Sequence, residues 1–308
     1  MAYRFELDES VERGARRIAV EQIDRALGEV RGDEAVWVHE ARKCLKRTRA
    51  LLRLVRAGMD EADWSRRNEL LQAIGRSMSA RRDADVWQAT RASLLEGAPK
   101  SVAAALAKLQ PCGGAGADQD APPAGLGAVT AVAFDAKAAR RALKSARPVL
   151  DRMRIKGGDE VLAAGLERTH RRGRRQLEAL AQDQADERFH DLRKTVQVHW
   201  RQMQLLSRAW PSILKVRVEE AREIANALGI DHDLSVFAGQ VRAQGGLSEA
   251  EAKLIAAACE KRQRALRARA LVATERLFMQ KPARFADEVI GYWRLAAASA
   301  RAKRGTGG

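Results

Sequence analysis

Two short segments recur along this chain in the same order. Val38-His39-Glu40-Ala41-Arg42-Lys43 is echoed by Phe189-His190-Asp191-Leu192-Arg193-Lys194 at an offset of 151 residues. Farther on, Arg82-Asp83-Ala84-Asp85-Val86-Trp87 is echoed by His232-Asp233-Leu234-Ser235-Val236-Phe237 at an offset of 150. The anchors lie 44 residues apart in the first case (His39 to Asp83) and 43 in the second (His190 to Asp233). A single match of this length carries little weight. Two in order at nearly one spacing argue for a duplicated unit. A duplication constrains the fold strongly: it predicts two similar bundles packed about a pseudo-twofold axis.

Each unit reads as helical. Ala, Arg, Leu and Glu dominate, all strong helix formers, and only seven prolines occur, mostly at the edges of periodic segments. No stretch alternates apolar and polar residues long enough to make a convincing strand. The apolar periodicity predicts helices over 9–31, 34–58, 60–79, 81–96 and 99–109. A Gly- and Pro-rich segment at 112–125 is the one clear linker, and helices resume over 130–152, 158–183, 186–209, 212–229, 231–244, 248–279 and 283–302. The expected organisation is a first helical half at 5–110, a linker at 111–127, a second half at 128–302 and a loose tail at 303–308. The fold class is all-α: two antiparallel helical bundles related by internal duplication.

The chain is 46% hydrophobic, enough to bury a core, and carries a net charge of +16. No run of 18 apolar residues is present, which argues against a transmembrane helix. The start, MAYRFELDES, is acidic where a signal peptide would be basic and then apolar. Cys44, Cys112 and Cys259 are too few and too scattered for a disulfide framework or a zinc site, and a reducing cytoplasm fits them. The excess positive charge points to a polyanionic partner: nucleic acid, anionic lipid or a polyphosphate chain.

That charge is patterned. With His39 at zero on a helical wheel, Arg42, Lys46, Arg49 and Arg53 fall within about 80° on one side and Lys43 about 40° on the other. Cys44, Leu45, Thr48, Leu51, Leu52 and Val55 fill the opposite arc. Between His39 and Arg56 stand seven Lys or Arg residues and one acid, Glu40. Solvated helix faces ordinarily mix signs, because like charges at i,i+4 repel. A face of one sign over about 20 Å suggests that an anion completes it. The second copy places Arg193, Lys194, Gln197, Arg201, Gln204 and Arg208 on one face with His190. It is weaker, since Gln197 stands at the place of Lys46 and Trp200 at that of Arg49. Further basic clusters occur at 170–175, at Arg81-Arg82 and around 261–269.

The histidines divide. His39 and His190 open the two basic faces, where each could donate to phosphate. His199 falls on the apolar side and reads as core. His232-Asp233 reads as a helix-start or buried pair, with Arg82-Asp83 as its counterpart. A metal-dependent phosphohydrolase built on the His-Asp dyads is a weaker reading, because Arg82 replaces histidine in one half and Glu40 follows His39. No His-Glu-x-x-His, P-loop, Gly-x-Ser-x-Gly or Cys-x-x-Cys motif occurs. No catalytic residue, metal site or cofactor is expected. Trp37, Trp87, Trp200, Trp210 and Trp293 read as packing and do not interleave with the basic stripe as a base-stacking platform would.

These residues resemble a family. His39-x-x-Arg42-Lys43-x-x-Lys46-Arg47-x-Arg49 with the Arg82-Asp83 segment resembles the first half of the CHAD domain, the conserved-histidine α-helical domain. The run from Phe189 to Trp200, then Leu228-Gly229-Ile230-Asp231-His232-Asp233-Leu234, resembles its second half, and Leu277-Phe278-x-x-Lys281-Pro282 its closing segment. The likeness spans roughly 5–300. It implies two helical bundles around a basic central cavity that binds inorganic polyphosphate without turning it over. Some members are fused to a CYTH domain, marked by Glu-x-Glu-x-Lys on a strand. No such motif occurs, so the chain resembles a stand-alone member. Some members associate with polyphosphate or other storage granules, which extends the expected cytoplasmic location. The expected polyphosphate-binding residues are His39, Arg42, Lys43, Lys46, Arg49 and Arg53 from the first copy and His190, Arg193, Lys194 and Arg201 from the second. Arg16 on the first helix and Arg174 join them. Nucleic acid is the alternative polyanion, although no nucleic-acid motif is present.

Overall fold

Side-chain caps start three of the helices in the computed structural model. It describes residues 3–28, 34–78, 80–110, 135–243 and 245–305, with the side chains of 80–85, 304 and 305 left aside. The helices are α1 (Val11–Gly28), α2 (Glu34–Val55), α3 (Glu61–Arg76), α4 (Ala80–Leu95), α5 (Lys100–Ala107) and α6 (Ala136–Asp151). They continue with α7 (Asp159–Gln182), α8 (Asp186–Leu205), α9 (Pro211–Ala243), α10 (Glu249–Leu277) and α11 (Pro282–Gly305). A 3-10 turn over Arg56–Gly58 follows α2. Asp60 caps α3 by accepting from the Asp63 N–H, and Asp135 caps α6 by accepting from Lys137 and Ala138. Ser248 and Glu251 form a reciprocal capping box on α10. Among the described residues there is no strand, and the fold is all-α. The linker expected at 111–127 lies outside the described residues.

Several helix ends differ from the sequence reading by a few residues, and one expected break is absent. The segments 212–229 and 231–244 are a single 33-residue helix, α9, so His232-Asp233 stands mid-helix and not at a helix start. The expected break fell just after Gly229. That glycine instead lies against Arg193: a Cβ built there would stand 3.4 Å from Arg193 Nη2. The glycine makes room for a guanidinium, and the helix tolerates it.

Three apolar clusters hold the helices together. The largest joins α1, α2, α3, α6 and α11 with the start of α7 and the end of α8. A second joins Leu180 of α7 with α8, the middle of α9 and the end of α10. In the third, α4 and α5 pack on the last part of α9 and the first part of α10, through Trp87, Leu94, Leu106, Phe237 and Ile255. Trp87 and Phe237, which the offset of 150 equates, touch with ring centroids 5.3 Å apart. Helices α2 and α8, which carry the two recurring basic faces, also pack on each other. Among the described residues no helix is long and apolar enough to cross a membrane.

Candidate anion-binding cleft

The contact between α2 and α7 is as close as backbones allow. A Cβ at Gly165 would stand 2.0 Å from the Leu54 carbonyl oxygen, so no side chain fits there. This approach brings the α7 residues three and seven positions on, Arg168 and Arg172, alongside the basic face of α2. On the other side, α8 packs against both α2 and α7. The result is a cleft of about 250 Å³ whose walls come from α2, α3, α7 and α8.

Its lining is Lys46, Arg49, Arg53, Arg56, Trp64, Arg168, Thr169, Arg172, His190, Arg193, Lys194, Thr195, Gln197, Val198 and Arg201. Nine of these fifteen are Lys or Arg, and no Asp or Glu is among them. Three of the arginines are deep: Arg49, Arg193 and Arg201 are each 7% exposed. Arg49 Nε donates to Asn68 Oδ1 at 3.2 Å. Arg201 Nη1 donates to its own helix, at the Gln197 carbonyl 2.7 Å away, and its guanidinium lies 4.7 Å from the Trp200 ring centroid. Burial pushes the Arg201 guanidinium down to about 10; Tyr3 opposes part of that shift, and Arg47 and Arg193 add to it. Two acids meet the cleft from its edges. Asp191 pairs with Lys194 at 3.2 Å, and Glu61 pairs with Arg56. Arg56 also covers one face of Trp64, 3.9 Å from the ring centroid.

Seven of the residues expected from the sequence meet here: Lys46, Arg49, Arg53, His190, Arg193, Lys194 and Arg201. The others lie outside the lining. His39 is exposed, near the start of α2. Lys43 pairs with Glu40 at 3.1 Å, and Arg42 donates to the Gly75 carbonyl at 2.6 Å. Arg16 is held by Glu12 at 2.5 Å and the Met153 carbonyl at 2.7 Å. Arg174 Nη1 donates to the carbonyls of Phe278, Met279 and Gln280, closing the end of α10.

The sequence reading missed Arg56, Arg168, Arg172 and Trp64. Arg56 continues the series Arg49 and Arg53 by one more turn, a visible signal. Arg172 belongs to the cluster 170–175, but two helical positions separate it from Arg174, a rotation of about 200°. A choice between neighbours in the cluster therefore switches faces, and only the packing of Gly165 on α2 decides it.

The remaining histidines lie behind the cleft or in the core. His232 stacks on His190 with ring centroids 4.2 Å apart. His199 is fully buried, as its helix face predicts, and sits with His170, Phe278 and Phe285. Burial, helped by nearby positive charge, holds His199 down at about 3 and His170 at about 4. Among the described residues no group of His, Cys, Asp and Glu could hold a metal ion.

A family model described as the CHAD domain matches residues 15–242. No curated protein sequence matches the chain. Among solved structures, the chain is similar to PptA from Streptomyces chartreusis, with a TM-score of 0.56 and 15% identity over 88% of this chain and 98% of that one. At that identity the likeness speaks for the fold.

Proposed function

We propose that this chain, which belongs to the CHAD domain family, is a non-catalytic binder of inorganic polyphosphate. The observation that carries the reading is the cleft between α2 and α8, with nine cationic residues and no acid in its lining. Guanidinium groups match phosphate oxygens with paired hydrogen bonds, and lysines add point charge. A low-dielectric cleft of one sign concentrates its field on a chain of anions. Base stacking has less support: Trp64 is the one Trp, Tyr or Phe in the lining, and Arg56 already covers a face of it. Carriage to polyphosphate or other storage granules would follow from the same binding.

The test is equilibrium binding of long-chain polyphosphate against orthophosphate, with duplex and single-stranded nucleic acid as competitors at equal phosphate concentration. Polyphosphate is expected to win. If six to nine cations each displace a counterion as on single strands, log Kd rises with log salt with a slope of about 4 to 6. Nucleic acid displacing polyphosphate, or affinity indifferent to salt, would overturn the reading. Incubation with polyphosphate and Mg²⁺ or Mn²⁺ is expected to release no phosphate. Turnover abolished by His232→Ala would show catalysis instead.

A further inference from the structure

The cleft has a titratable layer behind its wall. His190 lines the cleft, whereas His232, stacked on it from α9, does not. The Nε2 of His232 is buried and, among the described residues, meets no hydrogen-bond partner. The charges around the ring are asymmetric. Arg193 and Lys194 approach from α8, and both belong to the cleft. Asp186, at the start of α8, is an acid that faces it, and Arg267 of α10 already clamps that acid and Asp231 at 2.5 and 2.6 Å. Helix α4 also packs on α9, and its side chains at 80–85 lie outside the described residues. With the cleft unfilled, burial above all, then His190, Arg193 and Lys194, hold His232 down at about 3.

We infer that the His190–His232 pair takes up a proton when phosphate fills the cleft, so that polyphosphate binds more tightly as pH falls. This rests on the polyphosphate reading above and concerns the regulation of the same site. A proton on the pair in the empty cleft would add a third positive charge beside Arg193 and Lys194. A phosphate chain against His190 reverses the sign of that local field and favours the protonated pair. Two imidazolium rings at a centroid distance of 4.2 Å repel, so the pair gains one proton as a unit and not two. Reciprocity then requires that acid tighten binding to the extent that binding draws in the proton.

The experiment is calorimetric titration of the full chain with long-chain sodium polyphosphate in two buffers of different ionisation enthalpy. The internal phosphates of a long chain stay ionised across this range, so the ligand contributes few protons of its own. The expected result is net uptake of up to about one proton per protein near neutral pH, and an affinity about tenfold higher at about pH 6 than at about pH 8. In H190Q/H232Q the uptake disappears and the affinity loses its pH dependence. Should that variant not hold its helicity, His190→Gln alone gives the same readout from the cleft wall. Binding with no proton uptake, or uptake unchanged in the variants, overturns the inference and leaves polyphosphate binding standing. Absence of binding at every pH overturns both.

Discussion

Replacing Arg201 by methionine separates the stability of the fold from the affinity of the cleft. Arg201 is 7% exposed, and among the described residues no carboxylate acts on it. Its guanidinium is pushed two to three units below its ordinary value, to about 10, chiefly by burial. At about 1.4 kcal/mol per unit, that is about 3 kcal/mol against the charged form. The folded value lies below the unfolded one, so the stability belonging to the neutral side chain is present only at strongly alkaline pH. It is lost as pH falls through about 10, and at neutral pH the whole penalty stands. Methionine keeps an unbranched apolar stem and removes the charge. It also loses the bond to the Gln197 carbonyl, worth about 1 kcal/mol. The net expectation is a ligand-free protein more stable by about 1–2 kcal/mol, or a few degrees in Tm. Loss of one charge-assisted contact should weaken polyphosphate by about tenfold or more. Urea unfolding without ligand and a polyphosphate titration measure the two effects. If Arg201→Met destabilises the ligand-free protein by more than about 1 kcal/mol while affinity holds, Arg201 serves the fold, and the cleft argument fails at its deepest residue.

Four further outcomes follow from the geometry. Charge reversal at Arg49 or Arg193 should weaken polyphosphate binding by about tenfold or more with helical circular dichroism unchanged. Arg174→Ala, which uncaps α10 outside the cleft, should instead cost about 1 kcal/mol of stability and leave Kd in place. Gly165→Val would drive side-chain atoms into the Leu54 carbonyl, destabilising the fold by about 1–3 kcal/mol or more and splaying α7 from α2, which denaturant unfolding and a weakened Kd would reveal. His170 and His199 are held at about 4 and 3, below the ordinary 6.5, so the stability their neutral rings contribute is intact above pH 6.5 and drains as pH falls towards those values. At about pH 4 each costs up to about 3 kcal/mol, and His199→Met should flatten the acid limb of a stability profile.

What could be read from the residues and what could not follow one physical division. Helix content, the opposed faces of α2 and the burial of His199 are properties of one helix at a time, and a period of about 3.6 residues reports them. Which cations face each other is a property of pairs of helices. Arg42 and Arg49 lie on the same face by the wheel, yet Arg42 turns to the Gly75 carbonyl while Arg49 stays in the cleft. Arg16 and Arg174 are arginines no less than Arg168 and Arg172, but their partners are Glu12 and the end of α10. The break expected after Gly229 failed for the same reason. The glycine's signal as a helix breaker is local, whereas its use, to admit the Arg193 side chain, depends on α8 lying across it.

The distribution of the charges also bears on the size of the ligand. One orthophosphate offers four oxygens and is satisfied by two or three donors. Here the cations come from α2, its following turn, α7 and α8, and several sit on opposite walls. A single small anion would neutralise a few of them and leave the others repelling across a shared low-dielectric space. A chain of phosphates engages them in succession, each contact after the first being intramolecular, so weak individual contacts sum to strong binding. The same arithmetic explains why the cleft is built where α2 and α7 touch backbone to backbone. A cluster of like charges pushes its walls apart, and the Gly165–Leu54 contact, with the apolar clusters on either side, is what holds them in place until the anion arrives.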